Sequence, residues 1–84
     1  MLRLSGFLVN PLEIETHIQR VAGIDGCQAV AVARPDGVRA VAFVTLRPGA
    51  TLDEAAVVSH CRQGLAGYKV PLRVFAIDDF PRTP

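Results

Sequence analysis

The chain has 84 residues, half of them hydrophobic and one fifth charged, which is the composition of one globular domain. Disorder would require fewer apolar residues and a higher net charge. The formal net charge of +1 provides no broad positive field, so we expect no nucleic-acid partner. We also expect neither a signal peptide nor a membrane span, because no apolar run approaches the ~18 residues that a span needs.

The first part of the chain predicts a short hairpin followed by a helix. "LRLSGFLV" places two apolar runs around Ser5-Gly6, and Gly6 favours a turn between two short strands. "NPLEIETHIQRVAG" begins with Asn10 as a good N-cap and Pro11 at the first helical position. We expect Gly23 to end this helix. The apolar positions at helical spacing, which should face the core, are Ile14, Ile18 and Val21.

The middle of the chain predicts two antiparallel strands. Residues 28–34 and 39–47 are rich in valine and alanine, and Pro35-Asp36-Gly37 between them favours a turn. Phe43 is the single aromatic residue of this region, and we expect it to lie in the core. An RNA-binding sheet would need exposed aromatic residues on these strands, so the pattern argues against one.

The remainder predicts a second helix and a last strand. In "TLDEAAVVSHCRQGLAG", Thr51 and Glu54 have the spacing of a capping box, and Gly67 should end the helix. Its apolar stripe is predicted to consist of Val58, Cys61 and Leu65. "LRVFAI" reads as a strand, whereas "DDFPRTP" contains too much proline to continue in a sheet.

These elements predict an α+β fold in one domain, residues 1–84. We expect a small mixed sheet of about three strands with a short leading hairpin. The two main helices should pack on the sheet, because neither can bury its apolar stripe alone.

The reactive side chains give little reason to expect catalysis. We expect structural roles for His17 and His60, because no metal-ligand spacing surrounds them. His60 and Cys61 cannot act together as a base and a nucleophile, because adjacent residues of a helix point in different directions. Cys27 and Cys61 are interpreted as reduced core thiols, with a disulfide as the alternative. Asp78-Asp79 is interpreted as a solvated turn rather than a cation site.

Two segments are distinctive. One is the glycine turn Ser5-Gly6-Phe7, which leads directly into the proline-started helix. The other is Gly67-Tyr68-Lys69-Val70-Pro71, where the only lysine of the chain lies between a glycine and a proline. A stiff loop can hold a working lysine or merely a solvated one, and composition does not decide between them.

The motifs resemble those of the adenylate-forming ligases, which include acyl- and aryl-CoA synthetases, peptide-synthetase adenylation domains and luciferases. "GFLVNPLEIE" resembles their glycine-turn segment, and "VAFVTLRPG … CRQGLAGYKVP … FPRTP" resembles the rest of their C-terminal subdomain. The resemblance covers nearly the whole chain in order. We therefore interpret the chain as the C-terminal subdomain of an acyl-CoA synthetase-like enzyme.

The resemblance implies a division of labour within a larger cytoplasmic enzyme. A large N-terminal domain would bind ATP, Mg and the carboxylic acid substrate, and would be the partner of this chain. The small subdomain would rotate between two poses. One pose presents a lysine for formation of the acyl-adenylate, and the other presents the glycine turn to coenzyme A.

The resemblance also implies roles for particular residues. Ser5, Gly6 and Phe7 correspond to the glycine turn that lines the coenzyme A tunnel, and Gly6 would let the backbone approach the pantetheine arm. Lys69 corresponds to the lysine of the "[YF]-K-x-P" motif, either as a contact for coenzyme A phosphates or as a surface lysine. No catalytic residue is expected in the chain, because the adenylation lysine of the family would follow Pro84. The fragment alone should therefore be inactive.

Two alternatives remain. In the same superfamily, the acyl group would pass to a carrier protein, as in acyl-AMP ligases and peptide synthetases. In a different class, the chain would be a non-catalytic ferredoxin-like binding module.

Overall fold

The computed structural model describes residues 1–79, and the sequence "FPRTP" with its predicted break from the sheet lies outside them. The described part forms two sheets and two α-helices, which confirms the predicted α+β fold. In chain order the elements are β1 Leu2–Leu4, β2 Phe7–Val9, α1 Pro11–Gln19, β3 Ile24–Arg34, β4 Gly37–Leu46, α2 Glu54–Gly64, the 3-10 turn Gly67–Lys69 and β5 Val74–Ala76.

The main sheet has the order β3-β4-β5, with β4 in the centre. β3 and β4 are antiparallel, and Val30 lies opposite Val41. β5 runs parallel to β4, with Phe75 opposite Phe43, so the sheet is mixed as predicted. β1 and β2 form the separate leading hairpin. The predicted strand 28–34 is longer in the structure, because β3 already begins at Ile24 and continues across a bulge.

Both helices pack on one face of this sheet. Residues at alternate positions of a strand point to the same face, so Ala40, Ala42 and Val44 of β4 all meet the helices and are fully buried. From the helices, the predicted core residues Ile14 and Ile18 are fully buried, while Val21 is only partly buried. In α2 the deepest residues are Val57 and Cys61 rather than the predicted Val58, because Val58 is only partly buried.

The opposite face of the sheet is open in the described part of the chain, and Phe43 lies on it. The expectation that Phe43 belongs to the core is therefore wrong, since the neighbouring residues of β4 occupy the helix-facing side. Phe43 is half-buried and stacks on Phe75 at 5.6 Å between ring centroids. A groove of about 380 Å³ beside Phe43 is lined by Gln28, Val30, Ile77 and Asp79.

The start of α1 agrees with the sequence, but its end does not. The Asn10 side chain accepts a hydrogen bond from the Leu12 amide at 3.0 Å, so Asn10 is the N-cap as predicted. The helix ends at Gln19, four residues before Gly23. The Val21 amide bonds to the Ile18 carbonyl in a tighter turn, and Gly23 with φ of +89° belongs to the loop that follows.

The predicted capping box of α2 is wrong. Asp53 is the N-cap, and its carboxylate accepts a hydrogen bond from the Ala56 amide at 3.1 Å. Glu54 does not return to Thr51, because its carboxylate accepts hydrogen bonds at 2.8 Å from the Val74 amide and from the Arg73 side chain. These two bonds lower the pKa of Glu54. The helix ends at Gly64, before the predicted Gly67.

The two helices are joined by a reciprocal histidine pair. The His17 and His60 rings stack with centroids 4.2 Å apart, and each Nε2 lies 2.9 Å from the backbone carbonyl of the other residue. A carbonyl oxygen only accepts, so each Nε2 donates. The histidines therefore have the structural role predicted for them, because their ring stack and hydrogen bonds hold α1 against α2.

Both cysteines are free thiols, as the sequence predicts, and both are held in the protonated form. Burial, with a smaller contribution from the Glu15 carboxylate, raises the pKa of Cys27 to about 12. Burial raises the pKa of Cys61 to about 11. A thiolate is the reactive form of cysteine, so the fold protects both groups.

We predict that both thiols react slowly with a thiol-specific disulfide reagent at pH 7.5. Relative to an ordinary cysteine with a pKa of ~8.5, their thiolate fraction is lower by more than about a hundredfold. The control is the same chain in denaturant, where both thiols should react at ordinary rates. Equal rates in the folded and unfolded chain would contradict this account, and Cys27→Ala assigns the remaining signal to Cys61.

Candidate functional site

The glycine turn joins β1 to β2 in a conformation that favours glycine. Ser5 has φ of +49° and Gly6 has φ of +86°, as in the tight hairpin turns that match the twist of two strands. A Cβ on Gly6 would meet no other atom within 4 Å, so the backbone angle rather than crowding selects glycine here. Leu4 and Val9, both buried, anchor the hairpin in the core, and the Ser5 amide bonds to the Val38 carbonyl of β4 at 3.2 Å.

Lys69 lies at the end of the 3-10 turn Gly67–Lys69. The turn is closed by its own backbone, because the Lys69 amide bonds to the Ala66 carbonyl at 2.8 Å and the Val70 amide bonds to the Gly67 carbonyl at 3.3 Å. Val70 and Pro71 directly after it are buried and fix its C-terminal end. The lysine therefore lies on a defined turn with its own backbone hydrogen bonds.

The structure brings the two predicted segments together through an aromatic stack. The rings of Phe7 and Tyr68 lie 4.6 Å apart between centroids and are inclined by 27°. Phe7 remains 56% exposed, so the stack lies at the surface and a ligand can reach it. Sequence reasoning included Tyr68 only as a motif position and missed its contact with Phe7.

The Lys69 ammonium is paired with a carboxylate of α1. Its Nζ lies 2.9 Å from Glu13 Oε1 and 3.0 Å from Oε2, and it also lies 5.6 Å from the centre of the Tyr68 ring. The bond to Glu13 raises the pKa of Lys69, so the side chain is firmly cationic. No local sequence pattern reveals this pair, because Glu13 and Lys69 are 56 residues apart in the chain.

Arg39 of β4 supplies a third contact to the Lys69 turn. Its guanidinium donates a hydrogen bond at 3.2 Å to the carbonyl oxygen of Val70, the residue after Lys69. The Nε of Arg39 is buried and has no hydrogen-bond partner in the described part of the chain. In the sequence, Arg39 is only the first residue of the predicted strand 39–47, and no local pattern indicates its contact with the Lys69 turn.

This arrangement is suited to binding rather than to bond-making. It combines an exposed aromatic ring, a turn whose backbone is accessible and one ammonium group. Within residues 1–79, no three His, Cys, Asp or Glu side chains are grouped to hold a metal ion. No helix in the same range is long and apolar enough to cross a bilayer.

The family model of the AMP-binding enzyme C-terminal domain matches residues 13–84. The chain belongs to this family. A 3-[(3aS,4S,7aS)-7a-methyl-1,5-dioxo-octahydro-1H-inden-4-yl]propanoyl:CoA ligase from Rhodococcus jostii is 38% identical over 94% of the chain and 16% of the relative. A long-chain-fatty-acid–CoA ligase from Escherichia coli is 35% identical over 99% of the chain and 15% of the relative.

The AMP-binding enzyme C-terminal domain also has closely similar solved structures. ATP-bound MatB from Rhodopseudomonas palustris has a TM-score of 0.91 and 36% identity, over 99% of this chain and 17% of that protein. The anthranilate CoA ligase AuaEII, in complex with anthranoyl-AMP, has a TM-score of 0.88 and 25% identity over the same share of the chain. The chain thus spans about a sixth of the length of the proteins that it matches.

We predict that Glu13→Gln lowers the pKa of Lys69 towards that of an ordinary lysine. The substitution removes the anion that favours the charged form of the amine, while it preserves the size of the side chain. NMR titration of the Lys69 side chain measures the change. Asp36→Asn is the matched control, because it removes the same charge at the β3–β4 turn, and it should leave the Lys69 titration unchanged. An unaltered Lys69 titration in Glu13→Gln would contradict the ion pair.

Proposed function

We propose that this domain is the mobile C-terminal part of an acyl-CoA synthetase-like ligase. The complete enzyme would activate a carboxylic acid with ATP and transfer the acyl group to coenzyme A. Support comes from the family of the chain and from the names of its relatives, which are CoA ligases. The observation that carries the proposal is the joining of the glycine turn to the Lys69 turn in one exposed surface.

The proposed reaction has two steps. In the first, the substrate carboxylate attacks the α-phosphorus of ATP, pyrophosphate leaves and an acyl-adenylate forms. In the second, the thiolate of coenzyme A attacks the acyl carbonyl, the carbon–oxygen bond to the phosphate breaks and AMP leaves. ATP and Mg would be bound mainly by the large N-terminal domain. A moving domain would suit this sequence, because the thiol needs access to a carbonyl that the first step keeps enclosed.

In the second step, the residues of this chain would bind the acceptor rather than react with it. The Ser5-Gly6-Phe7 turn has no side chain at Gly6, so its backbone can approach the narrow pantetheine arm. Lys69 would contact a phosphate of coenzyme A. Its side chain keeps 20% of its surface exposed while the ammonium is paired with Glu13, and an ammonium forms strong charge-assisted hydrogen bonds with phosphate.

The N-terminal end of this domain has the surface that would face the large domain. Met1, Phe7, Leu8 and Leu12 are each more than half exposed, although they are large and apolar. Such side chains are typical of contacts that form and break during domain movement.

We propose the cytoplasm as the compartment, and the two free thiols are consistent with a reducing environment.

The proposed function is tested with the complete enzyme that contains this chain. With ATP, Mg, a carboxylic acid and coenzyme A, it should release pyrophosphate and form AMP and acyl-CoA. The 84-residue chain alone should form neither product, because in the proposed enzyme the large N-terminal domain binds ATP and the carboxylic acid. Acyl-adenylate made by the fragment would overturn the proposal. Transfer to the pantetheine of a carrier protein, with none to free coenzyme A, would favour the carrier-loading alternative.

We predict that Lys69→Ala in the complete enzyme slows the thioester step about 10-fold or more and leaves adenylation nearly unchanged. A charge-assisted hydrogen bond to a phosphate is worth about that factor. Pyrophosphate exchange measures adenylation, and acyl-CoA formation measures the second step. Arg62→Ala is the control, because it removes an exposed cation that belongs to α2 rather than to either turn of the candidate site. Equal losses in both steps, or none, would remove the proposed phosphate contact.

A further inference from the structure

We infer that Arg39 is a positioning residue for the Lys69 turn. Its contact with the Val70 carbonyl holds Tyr68 and Lys69 at a set distance from the glycine turn. The inference rests on the proposed function, because positioning matters to the reaction only if this surface receives coenzyme A. The role of Arg39 is indirect, since it acts through the turn and not on the substrate.

The hydrogen-bond ladder of the sheet does not reach the Lys69 turn. Between β4 and the segment leading into β5, the first backbone bond joins the Leu72 amide to the Ala40 carbonyl at 2.9 Å. The next joins the Ala42 amide to the Arg73 carbonyl at 3.0 Å. Before Leu72, the backbone bonds of the turn join the Lys69 amide to Ala66 and the Val70 amide to Gly67, so they are internal to it. The buried Val70 and Pro71 hold the end of the turn by packing, and Arg39 adds a hydrogen bond from β4 to the Val70 carbonyl.

The two other side-chain contacts of the turn are more exposed to solvent than the Arg39 contact. The Phe7–Tyr68 stack involves a ring that is 56% exposed, and the Lys69–Glu13 pair involves a carboxylate side chain that is 47% exposed. Exposed pairs of this kind hold a geometry weakly, because water and salt compete with them. The Arg39 contact is partly buried and originates in the central strand. It is the contact best placed to restrict movement of the turn.

The arginine is difficult to explain by stability alone. A guanidinium remains charged at any physiological pH, and the Nε of Arg39 is buried without a partner. No ion pair joins Arg39 to a carboxylate within residues 1–79. An apolar side chain of similar length would avoid this cost of a buried unpaired donor. An apolar side chain could not, however, donate the hydrogen bond that Arg39 makes to the Val70 carbonyl.

The experiment compares Arg39→Met with Arg39→Lys in the complete enzyme. We expect Arg39→Met to leave the melting temperature unchanged or higher and the rate of adenylation unchanged. We expect it to raise the KM for coenzyme A at least 5-fold. Arg39→Lys should recover part of this loss, because an ammonium can still donate to the carbonyl. Arg34→Met is the matched control, since it removes an exposed arginine of β3 whose guanidinium forms an ion pair with Asp36.

A second measurement does not depend on activity. In the 84-residue chain, the NMR cross-peak between the Phe7 and Tyr68 rings should weaken in Arg39→Met and persist in Arg34→Met. An unchanged KM with an unchanged cross-peak would overturn the inference. Parallel loss of folding, adenylation and thioester formation would overturn it too, because the role would then be structural. If the wild-type enzyme makes no acyl-CoA, the proposed function fails, and the cross-peak alone decides whether Arg39 positions the turn.

Discussion

The burial of β4 is the constraint on which the rest of this domain depends. Its helix-facing residues Ala40, Ala42 and Val44 have no exposed surface, and within residues 1–79 it is the strand of the main sheet that has a partner on each side. Both halves of the candidate site are attached to its first residues, the glycine turn at the Val38 carbonyl and the Lys69 turn through Arg39. The start of one strand thus contacts both halves of the candidate site.

Much of the fold could be predicted from local patterns, because local rules govern it. The hairpin at Gly6, the Asn10 cap and the buried Ile14 and Ile18 follow from turn chemistry, capping and helical spacing. The incorrect details depend on distant partners. Glu54 was assigned to a capping box, but the Val74 amide and the Arg73 side chain use its carboxylate, which leaves Asp53 to cap the helix.

In the candidate site, too, local features could be predicted from the sequence and contacts between distant residues could not. The glycine turn and the lysine motif were recognisable because each is a contiguous stretch of sequence. Their meeting was not, since it depends on the Phe7–Tyr68 stack and the Glu13–Lys69 pair, whose members are far apart in the chain. The pairing with Glu13 also changes the interpretation of Lys69. A solitary lysine suggested a free charge, whereas the structure shows a charge held in place before any ligand arrives.

The parallel pairing of β4 with β5 has a consequence for how the chain acquires its structure. β3 can pair with β4 across a two-residue turn, but β5 reaches β4 only after α2 and the Lys69 turn have been built. The Ile77 amide, which bonds to the Val44 carbonyl, closes the described ladder. During synthesis, one edge of β4 thus stays unpaired until β5 has been made. Pairings between strands this distant in sequence form slowly. A polypeptide cut just before Val74 would expose that edge to self-association.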